Sequence, residues 1–164
     1  MTTPQATPQA RSGAAPLTQA VHWDLHYDVH LGATWGRFMQ GLRERTILGN
    51  RCPDCARTFV PPQAYCESCF VATTEWVELP AEGAVEVFTV AWQGFRGGPQ
   101  PPYAIAGIRL DGASTLLMHY VGGLDLSDPA GVRDQLPPGS RVRAVWATER
   151  TGAILDISHF EKVT

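Results

Sequence analysis

The amino-acid sequence predicts a mainly-β chain in which an N-terminal helix leads into a rubredoxin-like zinc ribbon and then into a C-terminal barrel of the OB type. Three observations predict it. One stretch has helical apolar spacing, two C-x2-C pairs stand ten residues apart, and the remainder breaks into short apolar strands separated by Gly, Pro and Asp.

Residues 1–18 are rich in Pro, Ala, Gln and Thr and carry no apolar period, so they bury too little surface to offset ordering entropy and are expected to form a disordered tail. Residues 19–48 are expected to hold an extended segment and an amphipathic helix. From Val21 to Leu31 every odd position is apolar, the pattern of a strand with one packed face. The even positions carry His22, Asp24, His26, Asp28 and His30. In an extended strand His22 and His26 stand about 13 Å apart, too far to share one ion, so these residues read as a solvated polar face. From Thr34 the period changes. Trp35, Phe38, Met39 and Leu42 recur at helical spacing, which predicts a helix over about 35–46 with Thr34 as N-cap and Gly49 as the stop.

The segment 49–74 carries Cys52-Pro-Asp-Cys55 and Cys66-Glu-Ser-Cys69. Two residues between cysteines let both sulfurs of a tight turn face one centre, and two such turns supply the four thiolates of a closed structural zinc site. A rubredoxin-type iron centre uses the same donor set. Two disulfides are disfavoured in a reducing compartment, and no thioredoxin-like βαβ pattern surrounds either pair. Thr58-Phe59-Val60 and Ala64-Tyr65 are expected to pair as a short ribbon across Pro61-Pro62.

Residues 75–164 read as the barrel. The expected strands are Glu75 to Leu79, Ala84 to Trp92, Tyr103 to Leu110, Thr115 to Val121, Arg141 to Thr148 and Ala153 to Phe160, the last two joined by a short hairpin at Glu149 to Gly152. One longer excursion, Gly122 to Gly139, interrupts them, and strands of this number and length suit a small closed barrel.

Composition bounds the function. With 13 basic and 16 acidic residues the net charge is -3 and the basic residues are dispersed, which argues against a nucleic-acid backbone as partner. No run approaches the ~20 apolar residues of a membrane span, and the N-terminus lacks the apolar core of a signal peptide, so no membrane partner and a cytoplasmic location are expected. There is no Gly-x-Ser-x-Gly elbow, no phosphate loop, and no cysteine outside the two pairs. His119 and His159 are the residues through which the chain could itself be an enzyme. The Gly/Pro-rich connection from Gln93 to Pro102 carries Phe95 and Arg96, an aromatic–arginine pair suited to a protein partner or a phosphate-bearing ligand; the same composition fits an ordinary flexible loop equally well.

The run Ile47 to Cys55, Val60-Pro61-Pro62, Cys66 to Cys69, Trp76 to Leu79, Gly83 to Thr89, Pro102-Tyr103 and Ile154 to Ile157 together resemble the zinc-ribbon/OB-fold family once catalogued as domain of unknown function 35. The resemblance spans about residues 34–161. It implies a non-catalytic accessory subunit in a hetero-oligomer, docked on a thiolase-superfamily acyl-CoA enzyme: a thiolase, a lipid-transfer-type aldolase or an acyltransferase. The catalytic residues would belong to the partner. No family motif carries a role over to Phe95 and Arg96; their place in the loop is what makes them candidates to contact the partner or its CoA substrate. The alternative is a nucleic-acid-binding module, because ribbons and OB barrels also serve that purpose.

Overall fold

The computed structural model describes residues 27–95, 97–129 and 131–163. The expected tail 1–18, the first part of the alternating segment with His22, Asp24 and His26, and Arg96 lie outside the described residues. Residues 27–30 have no regular secondary structure and are exposed. Tyr27, Val29 and Leu31 are themselves exposed, so the described part of the alternating segment is not a strand with a packed face. Alternation sets a period but does not supply a pairing partner.

Helix α1 spans Gly32–Arg43, starting and ending about one turn earlier than its apolar period suggested. Thr34 is inside the helix, and the N-cap is Leu31 with no side-chain cap bond. The helix ends in a Schellman motif: Arg45 N–H donates to the Leu42 carbonyl and Thr46 N–H to the Gly41 carbonyl, at 3.0 and 2.8 Å. Arg45 occupies the left-handed position with φ 62°. Gly49 is therefore not the stop. It sits within strand β1 (Ile47–Arg51), where the β2 backbone passes close to its Cα. Phe38 and Leu42 are fully buried, and the Arg150 guanidinium donates to the Arg43 carbonyl at the helix C-terminus.

β1 is the centre of a three-stranded antiparallel sheet, flanked by β2 (Thr58–Phe59) and β3 (Glu75–Leu79). Two expectations change here. Thr58-Phe59 pairs with Asn50-Arg51 rather than with Ala64-Tyr65, and Tyr65 bridges Ala72 instead. The strand Glu75 to Leu79, expected in the barrel, is hydrogen-bonded along all of β1. Its last side chain, Leu79, nevertheless packs into the core shared with the barrel.

The barrel is closed by five strands in the order β4-β5-β6-β8-β7: Glu82–Ala91, Tyr103–Leu110, Leu117–Val121, Ile157–Lys162 and Arg141–Trp146. Strand β4 is long enough to pair with β5 along its length and with β7 at its start, and a bulge between Val85 and Val87 lets it turn. β6 meets β8 in a single parallel bridge, Val121 to Phe160. The excursion before β7 contains the short helix α2 (Val132–Gln135). The last two strands are not joined by a four-residue hairpin. β7 stops at Trp146, and a 3-10 turn at Ile154–Asp156 precedes β8. Buried Asp156 shapes this connection by accepting from the N–H groups of Thr151, Gly152 and Ala153 at 3.0, 2.8 and 3.2 Å.

One core joins the two parts. Phe38, Leu42, Ile47, Val60 and Leu79 pack with Val85, Ile108, Leu110, Leu117, Val142 and Phe160. Side chains at the β5–β6 turn bind the ribbon: Thr58 N–H donates to Ser114 Oγ at 3.1 Å and Val60 N–H to Thr115 Oγ1 at 2.8 Å. That use of Thr115 explains why β6 begins only at Leu117. Among the described residues no helix is long and apolar enough to cross a membrane.

Candidate functional site

The two cysteine pairs fold into turns of the same design. Cys52 N–H donates to the Arg57 carbonyl and Ala56 N–H to the Cys52 carbonyl; Cys66 N–H donates to the Val71 carbonyl and Phe70 N–H to the Cys66 carbonyl. In each turn the residue after the second cysteine, Ala56 or Phe70, is left-handed with φ 57°. Repeating one backbone shape twice aims four sulfurs at one point. The sulfurs of Cys52, Cys55, Cys66 and Cys69 lie within 4.8 Å of one another, with Cys55 and Cys66 3.7 Å apart.

Those distances test the fit of a metal. A tetrahedral ion with zinc–sulfur bonds near 2.3 Å separates its sulfurs by about 3.8 Å, so these thiols need only a small contraction to close on zinc. The four cysteines thus form a site that can hold structural zinc. Cys52 and Cys66 are buried with Phe59 and Val71 against them, whereas Cys55 is exposed and Cys69 half-buried.

The N–H of Cys69 stabilises a thiolate on Cys66 and draws its pKa down to about 7, against the effect of burial. Cys69, whose thiol is held by Cys55, is pushed up to about 12. Cys52, Cys55, Cys66 and Cys69 would hold zinc as thiolates, its divalent charge taking the place of their protons. Arg57 braces the two turns: its guanidinium lies 2.9 Å from the Glu67 carboxylate, donates to Ser68 Oγ and stacks on Phe59.

Asn50 is a residue that spacing alone did not single out. Fully buried in β1, its side-chain amide donates to the Gln63 carbonyl at 2.6 Å and to Thr73 Oγ1 at 2.8 Å, while its carbonyl accepts from Gln63 N–H at 3.1 Å. It ties the strand before the first cysteine turn to both ends of the second. Replacing it by alanine strands the Gln63 N–H and the Thr73 carbonyl, while the Gln63 carbonyl still accepts from the Thr73 hydroxyl; at roughly 1–3 kcal/mol for each stranded group, Asn50→Ala should cost about 2–6 kcal/mol in a urea titration. Stability within 0.5 kcal/mol of wild type, on the order of a surface change, would show that the network is dispensable.

His119 and His159 are not brought together as an acid–base pair with a third group. His119 is buried where β6 leaves β8, and both ring nitrogens are engaged: Tyr120 N–H donates to Nδ1 at 2.9 Å and Nε2 lies 3.1 Å from the Ile154 carbonyl. This requires the neutral ring with its proton on Nε2. Burial lowers its pKa below 6.5. The unfolded chain therefore takes up a proton as pH falls below about 6.5 while the folded chain resists it, and stability falls on that side. His119→Gln should flatten the decline between pH 7 and 5.5 measured by thermal unfolding; an unchanged slope would place its origin elsewhere. His159 is half-buried, with Nδ1 3.1 Å from Ser158 Oγ. Phe95 is exposed in the β4–β5 connection, and its ring lies over Gly98.

Residues 39–75 match the ChsH2 rubredoxin-like zinc ribbon domain and residues 76–147 match the ChsH2 C-terminal OB-fold domain. The two matches run on without a gap and in the order the structure shows. The chain belongs to the zinc-ribbon/OB-fold family known as DUF35. Among solved structures it is similar to a DUF35-family protein of unknown function from Sulfolobus solfataricus, with 24% identity, a TM-score of 0.56, and coverage of 80% of this chain and 84% of that one. It is also similar to a chain of the Ltp2-ChsH2(DUF35) aldolase, with 20% identity, a TM-score of 0.57, and coverage of 77% and 91%. At these identities the likeness establishes the fold. No curated protein matches the sequence.

Proposed function

We propose that this DUF35 chain is a non-catalytic accessory subunit, held together by structural zinc, that docks on a thiolase-superfamily acyl-CoA enzyme and supports its activity or its CoA channel. The partner would be a thiolase, a lipid-transfer-type aldolase or an acyltransferase of lipid metabolism, working in the cytoplasm where thiols stay reduced. The observation that carries this reading is the uninterrupted match of residues 39–147 to the two ChsH2 domains, in a fold similar to a chain of an aldolase.

The chemistry of the chain's own residues supports it. A four-cysteine zinc site has no open coordination position and serves to hold a fold rather than to activate water. His119 spends both nitrogens on the backbone. In this reading Cys52, Cys55, Cys66 and Cys69 are the zinc ligands, and Phe95 with its neighbour Arg96 contacts the partner or its CoA substrate from the β4–β5 loop. Against a nucleic-acid module stands the pairing of the barrel arginines with carboxylates: Arg141 with Asp111, Arg143 with Glu161 and Arg109 with Glu86.

Co-expression with the thiolase-like protein of the same genome should give a complex that survives size exclusion at micromolar concentration, with the partner more soluble than when expressed alone. A partner that elutes alone, equally soluble with or without this chain, would overturn the proposal.

A further inference from the structure

We propose that the outer face of the β4–β5–β6 meander is the docking surface of this chain, covered in the assembly by an uncharged apolar patch of the partner subunit. The inference rests on the accessory-subunit reading and deepens it by naming the surface.

The strand register defines the face. Val87, Gly107 and Met118 lie opposite one another across the three strands, and Thr89, Ile105 and Tyr120 form the next outward row. Neighbouring positions point the other way: Ala104, Ala106, Ile108, Leu117 and Val121 are buried in the core. Val87 and Met118 are 53% and 55% exposed and lean together over Gly107, where an added Cβ would lie 2.9 Å from the Val87 methyl and 3.2 Å from the Met118 sulfur. Leu155 of the 3-10 turn, 54% exposed, extends the patch, and with Ile105, Met118 and Tyr120 it borders an open cavity of about 350 Å³.

The same barrel provides the comparison. A strand with one face in water alternates apolar and polar residues, and a strand covered on both faces reads as a continuous apolar run. β7 begins Arg141-Val142-Arg143, with the arginines exposed and the valine buried. β5 begins Tyr-Ala-Ile-Ala-Gly-Ile, and β6 reads Leu-Met-His-Tyr-Val. Half the barrel wall has the composition of a solvated surface and the other half that of an interior, although nothing in this chain covers it among the described residues.

Charge selects the occupant. The two outward rows hold no acidic or basic side chain that is charged at neutral pH, and Arg109, beyond them on β5, is neutralised by Glu86. Phosphate-rich ligands and anionic membranes are recognised by clusters of basic groups; among the described residues the two rows carry none, and Arg133 of α2 stands at their border beside Thr89. A protein patch equally free of charge is complementary to it, with methionine and tyrosine as the side chains enriched at such contacts.

The test compares Met118→Glu and Val87→Glu with Ser158→Glu, an exposed position of β8 outside the two outward rows, in isothermal titrations of the purified thiolase-like partner. Met118→Gln, of similar length and uncharged, guards against a folding defect. Melting temperature and zinc content should stay at wild-type values in all four. The two glutamates on the apolar face should weaken binding roughly 100-fold or more and Met118→Gln about 10-fold, with Ser158→Glu near wild type. Wild-type affinity in folded Met118→Glu and Val87→Glu would overturn the surface while leaving the accessory role intact. Absence of any wild-type complex would overturn the accessory role and this proposal with it. Self-association of the wild type, abolished by Met118→Glu, would make a second copy the occupant and refute the partner assigned here.

Discussion

Replacing Cys66 by serine should reduce bound zinc to less than about one-tenth of an equivalent and unfold the ribbon while the barrel remains structured. Cys66 is buried, its sulfur is 3.7 Å from that of Cys55, and its carbonyl and N–H close the second turn. The local apolar cluster consists of Cys52, Phe59 and Cys66, with Cys69 and Val71 beside it. So small a cluster cannot offset the ordering entropy of the surrounding loops, and zinc–thiolate bonding, on the order of 10 kcal/mol in isolated zinc-binding segments, supplies the difference. Hydrogen exchange should show loss of protection across 52–73 in the variant, or in wild type after chelation, with β5 unaffected. Full zinc content and unchanged protection in Cys66→Ser would contradict the metal assignment.

The second large effect is expected at Gly83. It lies opposite Leu110 of β5 and Val142 of β7, where β4 is held by both neighbours and the barrel closes. A Cβ there would stand 2.3 Å from the Arg109 carbonyl oxygen and 2.7 Å from the Leu110 Cα, both backbone atoms that move only if the strands part. Gly83→Ala should therefore cost at least about 3 kcal/mol, beyond ordinary overpacking and a large share of a typical domain's stability. Gly112→Ala is the comparison: its φ is 84° but the nearest atom to a Cβ is 3.6 Å away, so only backbone strain of about 1–2 kcal/mol applies. Equal losses at the two glycines in urea titrations would show that closure does not depend on the close approach at Gly83.

What could be read from the sequence was what is encoded locally. The cysteine turns need only their own spacing, and the strand segments need only short apolar runs between turn residues, so the ribbon and the barrel were both visible. Contacts distant in sequence were not. Nothing in Glu75–Leu79 says that it pairs with Ile47–Arg51 rather than with a barrel strand, because its burial pattern serves either sheet. The end of α1 was hidden for a different reason: Arg45 takes the left-handed position where glycine is the usual signal. Asn50 gave no signal because a buried amide is recognised by the carbonyls it meets, and those lie 13 and 23 residues away. The apolar outer face was written in β5 and β6, but the same residues are what an inner strand would contain; only the register separates the two faces.

If this chain supports chemistry performed by another subunit, acyl-CoA turnover must depend on both. The most direct measurement is the rate of acyl-CoA turnover by the partner alone, by this chain alone and by the two together. This chain should give no turnover, the partner low turnover and the complex full turnover. Full activity of the partner without this chain, or turnover by this chain alone that is lost in His119→Ala, would contradict that dependence.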